Sequence, residues 1–464
     1  MFGQRKIIFL FFLVVAVTVF LVLLFLYPVA FQAVLVGGLK DVEVDPSTLT
    51  LYVSNSSLFC YEDVFKVQNS GNAGLAYELF FNLEDSPAFF SLSWGGEPIL
   101  VVSSKGLSQK KLRLEPGSSA SLTACMLGPS PSRLKLVFLD ERFREATENS
   151  VAINVFNTDW WNNRFSRRLS LTYVVQKEGF ALFEVLGSGE VYVNSKLVGR
   201  VHELRGVDVG SLAVVYVKDG ANYLLHFQVE AWEARVDGQV EPKGLRSGPV
   251  GQHDRVVFAA YVTNSSRIDV YVGGRLEEEF KPAGHARGNV IDVEGLRVEL
   301  DEYGFSAPSL YVNLSGRILF PYLQAPVYYS DWGSWRSVVV GPVRIVAVFN
   351  TSGLSGYSVE SYLMVWGFNL KTLQATVWPK SIRRGVILDW ATPLVAAEGV
   401  SVSLVCGTAC DELPLSLERW GVKLCENYWQ PGDHRFGYFT LLFTWSELGS
   451  VSHVRGRVSS FPGG

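Results

Sequence analysis

The chain has 464 residues, a net charge of −4, 19% charged residues and 13% aromatic ones. So weak and balanced a charge offers no basic footprint for a polyanion, so no nucleic-acid partner is expected. With 48% hydrophobic residues the chain has ample material for several cores,.

Residues 7–26 read IIFLFFLVVAVTVFLVLLFL, without charge and with Thr18 as the single polar interruption. As a helix this stretch spans about 30 Å, the thickness of a bilayer's hydrocarbon core, with every backbone polar group satisfied internally. Arg5 and Lys6 precede it and the next basic residue is Lys40, so the positive-inside bias places residues 1–6 in the cytoplasm. The expectation is a signal-anchor helix at 7–26, held in a lipid bilayer, with the bulk of the chain extracellular. A cleaved leader would carry an apolar run of about 7–15 residues before a small-residue site. Val36-Gly37-Gly38 lies far beyond this longer run, and either reading exports the same body. A pilin-type leader would set a Gly directly before the apolar run, whereas Gly3 comes before Arg5-Lys6.

Roughly 420 residues then lie outside, enough for about three domains of ordinary size,. Helical periodicity is nearly absent from them. Alternating runs such as Leu296-Arg297-Val298-Glu299-Leu300-Asp301 have the period of half-buried strands, and turn signals such as Asp219-Gly220 and Gly273-Gly274 separate them,. The expected fold class is all-β: tandem antiparallel β-sandwiches behind one transmembrane helix, divided at 41–156, 157–280 and 286–460.

Exported cysteines favour disulfides. Cys60 and Cys125 are expected to pair, closing a loop worth about 4 kcal/mol in the chain-entropy model,. Two of Cys406, Cys410 and Cys425 are expected to pair, and spacing leaves open which two. With His434 these could be read as a zinc site, but they lack tight paired knuckles, so no metal is expected,. Sequons at Asn55, Asn264, Asn313 and Asn350 stand beside Gly, Ser or strand ends, where glycosylation is expected,.

In the first segment VFKVQNSGNAGLAYELFF precedes LRLEPGSSASLTACMLG. Phe65, Val67, Asn69, Gly71, Leu114, Pro116, Gly117 and Leu122 resemble the strand pattern of immunoglobulin-like surface modules. The second segment opens with Trp160, Trp161, Asn162, Arg167 and Arg168. It continues through Leu225, Phe227, Val229, Glu230 and Trp232, and closes with Tyr271 and Gly273. In that order these motifs resemble a domain of unknown function in archaeal and bacterial surface proteins. The resemblance implies a concanavalin-like sandwich without established catalytic residues. The third segment carries Gly295, Val298 and Leu300, then Gly341, Pro342, Val343 and Arg344. It is similar to the supersandwich of mutarotase-like and polysaccharide-lyase-like proteins, whose catalytic residues find no counterpart here.

Two aromatic clusters have the residue types of a glycan site. Tyr328, Tyr329, Asp331, Trp332 and Trp335, with Arg336, offer rings that stack on sugar faces and charges that hold hydroxyls,. Tyr428, Trp429, His434, Arg435 and Tyr438, with Asp433, combine a base, a carboxylate and a cation,. Core and rim packing accounts for the first better than a ligand platform does, and a loop flanked by strand aromatics for the second. The Gly187-Ser188-Gly189 run lacks a nucleophile elbow, the six histidines share no metal spacing, and Glu277-Glu278-Glu279 reads as a solvated edge,. No catalytic residue and no cofactor is expected. The body is expected to serve adhesion, contact with surface glycans or with other envelope proteins, or envelope architecture. A tethered glycan lyase or hydrolase and an accessory subunit of a membrane complex are the alternatives.

Overall fold

The computed structural model describes residues 42–55, 57–70, 76–85, 87–140, 149–235, 240–276, 278–301, 309–314, 316–319, 322–324, 335–352, 358–381, 389–391, 400–406, 415–418, 421–424 and 439–462. Apart from one 3-10 turn, Val209–Ser211, regular structure among them is all strand. No helix among the described residues is long and apolar enough to cross a membrane, and the apolar stretch 7–26 lies outside them. The chain forms two compact units, Met1–Asn162 and Asn163–Pro462.

In the first unit one sheet runs in the order Val42–Asp45, Phe59–Asn69, Ser119–Leu127, Phe89–Trp94, Glu97–Ser103, Gly106–Gln109. The other runs Thr48–Ser54, Asn149–Thr158, Arg133–Asp140, Tyr77–Glu84, Leu112–Leu114. Strict alternation decides the inward faces: Tyr77, Leu79, Phe81 and Leu83 from one sheet meet Ala120, Leu122, Ala124 and Met126 from the other in a single core,. One pair departs from the antiparallel expectation, since Thr48–Ser54 runs parallel to Asn149–Thr158. Parallel neighbours cannot be joined by a hairpin, so this pair ties the start of the unit to its end. A tight turn forms at Pro116-Gly117. Gly117 sits at φ +73, Ser118 N–H donates to Glu115 O at 3.0 Å, and the Asn69 amide donates to Leu114 O at 3.2 Å beside it,. Cys60 and Cys125 are register partners on adjacent strands and form a disulfide.

The second unit is layered. A front sheet runs Ala221–Leu224, Leu212–Lys218, Ser266–Val272, Arg167–Lys177, Ser450–Ser460. A middle sheet runs Lys196–Arg200, Glu190–Val193, Gly179–Leu186, Arg255–Val262, Phe227–Ala234, Val240–Leu245. Front and middle sheets close over Leu169, Leu171, Phe183, Val214, Phe258 and Val270, with Phe183 stacked on Phe258 at 5.1 Å. A back sheet runs Trp335–Val340, Arg344–Ser352, Ser358–Trp366, Thr372–Ser381, Phe439–Thr444, Ser401–Cys406. It covers the other face of the middle sheet, where Leu182, Val257 and Ala259 meet Val343, Trp366 and Leu442. A smaller meander from Gly284–Arg287 to Gly316–Leu319 buries Ile291, Val293, Leu296 and Val298.

The spans 157–280 and 286–460 are therefore interleaved. The last strand, Ser450–Ser460, pairs along Arg167–Lys177 and puts Val451 and Val454 into the front core. The back sheet buries a middle-sheet face that carries Glu184, Gln228 and Glu230 beside Leu182, Val257 and Ala259.

Candidate functional site

Arg344 has no exposed surface. Its Nε and Nη2 donate to the two oxygens of Glu230 at 2.8 and 2.7 Å, and its Nη1 donates to Glu184 at 3.0 Å. The second oxygen of Glu184 accepts from Arg255 at 2.7 Å, so two carboxylates face two guanidiniums and the cluster is neutral. Trp232 Nε1 donates to Glu230 at 2.9 Å, Gln374 donates to Glu184 at 3.3 Å, and Arg255 lies 3.7 Å above the Trp232 ring,. Burial alone would push the Glu184 carboxyl up, but the Arg344 and then the Arg255 guanidinium outweigh it and hold it at about 2,. Burial works against the Arg344 charge as well, and Glu184 and Glu230 together raise its pKa.

Backbone geometry locks the same place. Gln228 Oε1 accepts from Val343 N at 2.9 Å and from Arg344 N at 3.0 Å. A Cβ on Gly341 would stand 2.2 Å from that oxygen, so a side chain there would displace Gln228. The run Phe227-Gln228-Val229-Glu230-Ala231-Trp232 and the run Gly341-Pro342-Val343-Arg344, read from sequence as marks of separate modules, interlock here. Because Glu184, Gln228 and Glu230 stand on the middle sheet and Arg344 and Gln374 on the back sheet, the cluster fastens the two together,.

An open cavity of about 370 Å³ lies at the end of the front sandwich. Its floor is aliphatic: Leu169, Leu204, Val207, Val272 and Val458. Its rim carries Arg167, His202, Glu203, Arg205, Asp208 and Ser211. The loop after Lys196–Arg200 is fixed by its backbone, since Leu204 N and Arg205 N both donate to Gly187 O, at 3.0 and 3.1 Å. Val207 N donates to Leu204 O at 3.1 Å across a turn whose third residue, Gly206, takes φ +81, a region open to glycine,. Leu204 is 2% exposed and plugs the loop down, leaving His202, Glu203 and Arg205 exposed on either side. Asp208 accepts from Gly210 N at 2.8 Å and caps the 3-10 turn that leads to Ser211. Arg168 is held by Ser459 Oγ at 3.3 Å and by the buried Asp269 at 3.6 Å. Arg167 and Arg205 have no ion-pair partner among the described residues.

Tyr328, Tyr329, Asp331 and Trp332 lie outside the described residues, as do Tyr428, Trp429, His434, Arg435 and Tyr438. Trp335 opens a back-sheet strand opposite Phe349, and its side chain is outside the description. Cys410 and Cys425 lie outside as well, and Cys406 ends the strand Ser401–Cys406. Of the sequons, Asn264 occupies the exposed turn between Arg255–Val262 and Ser266–Val272, and Asn55 is exposed after Thr48–Ser54. Asn313 is exposed with its amide bridging Gly295 O and Arg297 N, at 2.9 and 3.0 Å, while Asn350 is paired with Glu360 within a strand. The cavity unites Arg167, quoted above only as a motif letter, with His202, Glu203 and Arg205, which no pattern singled out. Their one signal is local: four charged or titratable residues crowd into the seven positions His202–Asp208 between two strands.

No family model matches the sequence, and no curated protein matches it. Among solved structures the chain is similar to the PapD-like domain 7 of human CEP192, at 8% identity and a TM-score of 0.17, covering 26% of this chain and 87% of that one. It is also similar to the secreted serine protease VesC from Vibrio cholerae, at 10% identity and a TM-score of 0.16, covering 49% of this chain and 50% of that one. At such scores neither likeness carries an argument about this protein.

Proposed function

We propose that this chain is a membrane-anchored, exported protein of a prokaryotic, archaeal-type cell envelope, displaying its β-sandwiches for adhesion, glycan contact or envelope architecture. The observation that carries the reading is the Cys60–Cys125 disulfide, which belongs to an oxidising compartment,. The uncharged run at 7–26, preceded by Arg5 and Lys6, supplies the anchor and its direction,. Sequons at exposed positions such as Asn264 accord with passage through the same compartment,. The layered sheets offer broad faces and edges, which accords with a body that works by display and contact.

Protease added to intact cells tests this. The bulk of the chain is expected to be digested without lysis, leaving a fragment that retains the apolar leader. A chain that survives on intact cells and is cut only after lysis would overturn the proposal.

A further inference from the structure

We infer that the cavity at the end of the front sandwich binds a carboxylate-bearing sugar, an inference that rests on the reading of this chain as a displayed, glycan-contacting protein. The space, about 370 Å³, lies at the low end of small-ligand sites, which run from about 300 to 1,000 Å³,. That suits a short saccharide end rather than a folded partner.

The rim chemistry selects the ligand. Arg167 and Arg205 are cations at the mouth without an ion-pair partner among the described residues, and a guanidinium fork matches a carboxylate,. Arg168, the next residue of the strand, points to the opposite face, where Ser459 and the buried Asp269 hold it, so the cations the cavity offers are Arg167 and Arg205,. Glu203 and Asp208 stand on the same rim. A dense anion such as phosphate wants donors alone and would be repelled by these carboxylates. A uronic acid wants both: its one carboxylate meets arginine, and its hydroxyls donate to Glu203 and Asp208. The aliphatic floor of Leu169 and Val458 faces the ring's C–H surface.

The frame is set before a ligand arrives. Leu204 and the paired hydrogen bonds to Gly187 O hold the loop, and Arg167 and Arg168 begin a strand paired on both sides. Little ordering is left for binding to drive.

The test uses the full chain in detergent, titrated with digalacturonate by calorimetry, so that it does not depend on membrane topology and its failure leaves the export proposal standing. Binding is expected, with the methyl-esterified disaccharide at least about tenfold weaker. The double variant R167Q/R205Q is expected to lose about tenfold or more in affinity at an unchanged melting temperature. V458W, which fills the floor without touching charge, should abolish binding, while R200Q, whose arginine pairs with Glu190 away from the cavity, should not alter it. Failure of digalacturonate to bind, equal affinity for the ester, indifference to V458W, or equally strong competition by inorganic phosphate would each overturn the assignment.

Discussion

A guanidinium without exposed surface persists in a fold only if its charge is matched and each of its nitrogens finds an acceptor. Arg344 meets that demand with Glu230 and Glu184, and it is the residue whose loss the second unit should tolerate least. Arg344→Met is expected to cost about 3–5 kcal/mol, because it strands buried carboxylates that the methionine cannot pair. Denaturant unfolding of the purified chain checks this, and a loss under about 1 kcal/mol would refute the fastener. Acid sensitivity follows from the same cluster. The Glu184 carboxyl is depressed from the usual 4.5 to about 2, so its contribution is fully present above about pH 4.5 and fades as the pH falls towards 2,. The amount at stake is about 3 kcal/mol, visible as a stability loss between pH 4.5 and 2 that Glu184→Gln should flatten. Residue patterns reveal little of this. Phe227-Gln228-Val229-Glu230 alternates as a half-exposed strand does, so its period places Gln228 and Glu230 in water. Both are buried because another sheet lies over that face, a fact that belongs to distant sequence.

Strands, by contrast, carry their own signature. The alternation in Tyr77–Glu84, Ser119–Leu127 and Leu296–Asp301 marks strands that the structure contains, and Asp219-Gly220 turns with both residues at positive φ, 52 and 80,. Pairing is where legibility ends, because a strand's period says which face is inward and nothing about its neighbour. Ser450–Ser460 illustrates this: it lies more than 270 residues from Arg167–Lys177 yet pairs along it. Its Gly456 leaves room for Val201 and Leu169, where a Cβ would fall 2.6 Å from the Val201 Cβ and 3.0 Å from a Leu169 methyl. Ending the chain at Leu448 is therefore expected to bare the edge of Arg167–Lys177, withdraw Val451 and Val454 from the core and leave the front sheet unprotected in hydrogen exchange. Retained protection in Leu212–Lys218 and Ser266–Val272 would show that the strand is dispensable. In the first unit the cross-link joins neighbouring strands across a sequence separation of 65. Reducing it is expected to weaken that sandwich by about 4 kcal/mol, read from the denaturant midpoint with and without reductant.

At the scale of the whole molecule, the proposed export would leave chemical marks that can be measured apart from fold. The two marks differ in where they sit. The disulfide is internal to the first sandwich, whereas Asn264 lies in an exposed turn of the second unit, so one reports oxidation and the other reports access by a transferase. Asn264 is the sequon expected to be occupied, because its turn presents the amide to solvent and no hydrogen bond of the fold depends on that side chain among the described residues. Asn313 is under a constraint that Asn264 escapes, since its amide already ties Gly295 to Arg297. Asn264→Gln should then reduce the mass of the chain isolated from its own membranes by one glycan without altering its melting, while Asn313→Ala should loosen the hairpin Val290–Val293 to Leu296–Asp301 by about 1 kcal/mol,. Intact mass measurement decides it: a native chain at its unmodified mass, with Cys60 and Cys125 alkylatable before reduction, would place the body on the reducing side of the membrane and reverse the topology drawn from Arg5 and Lys6.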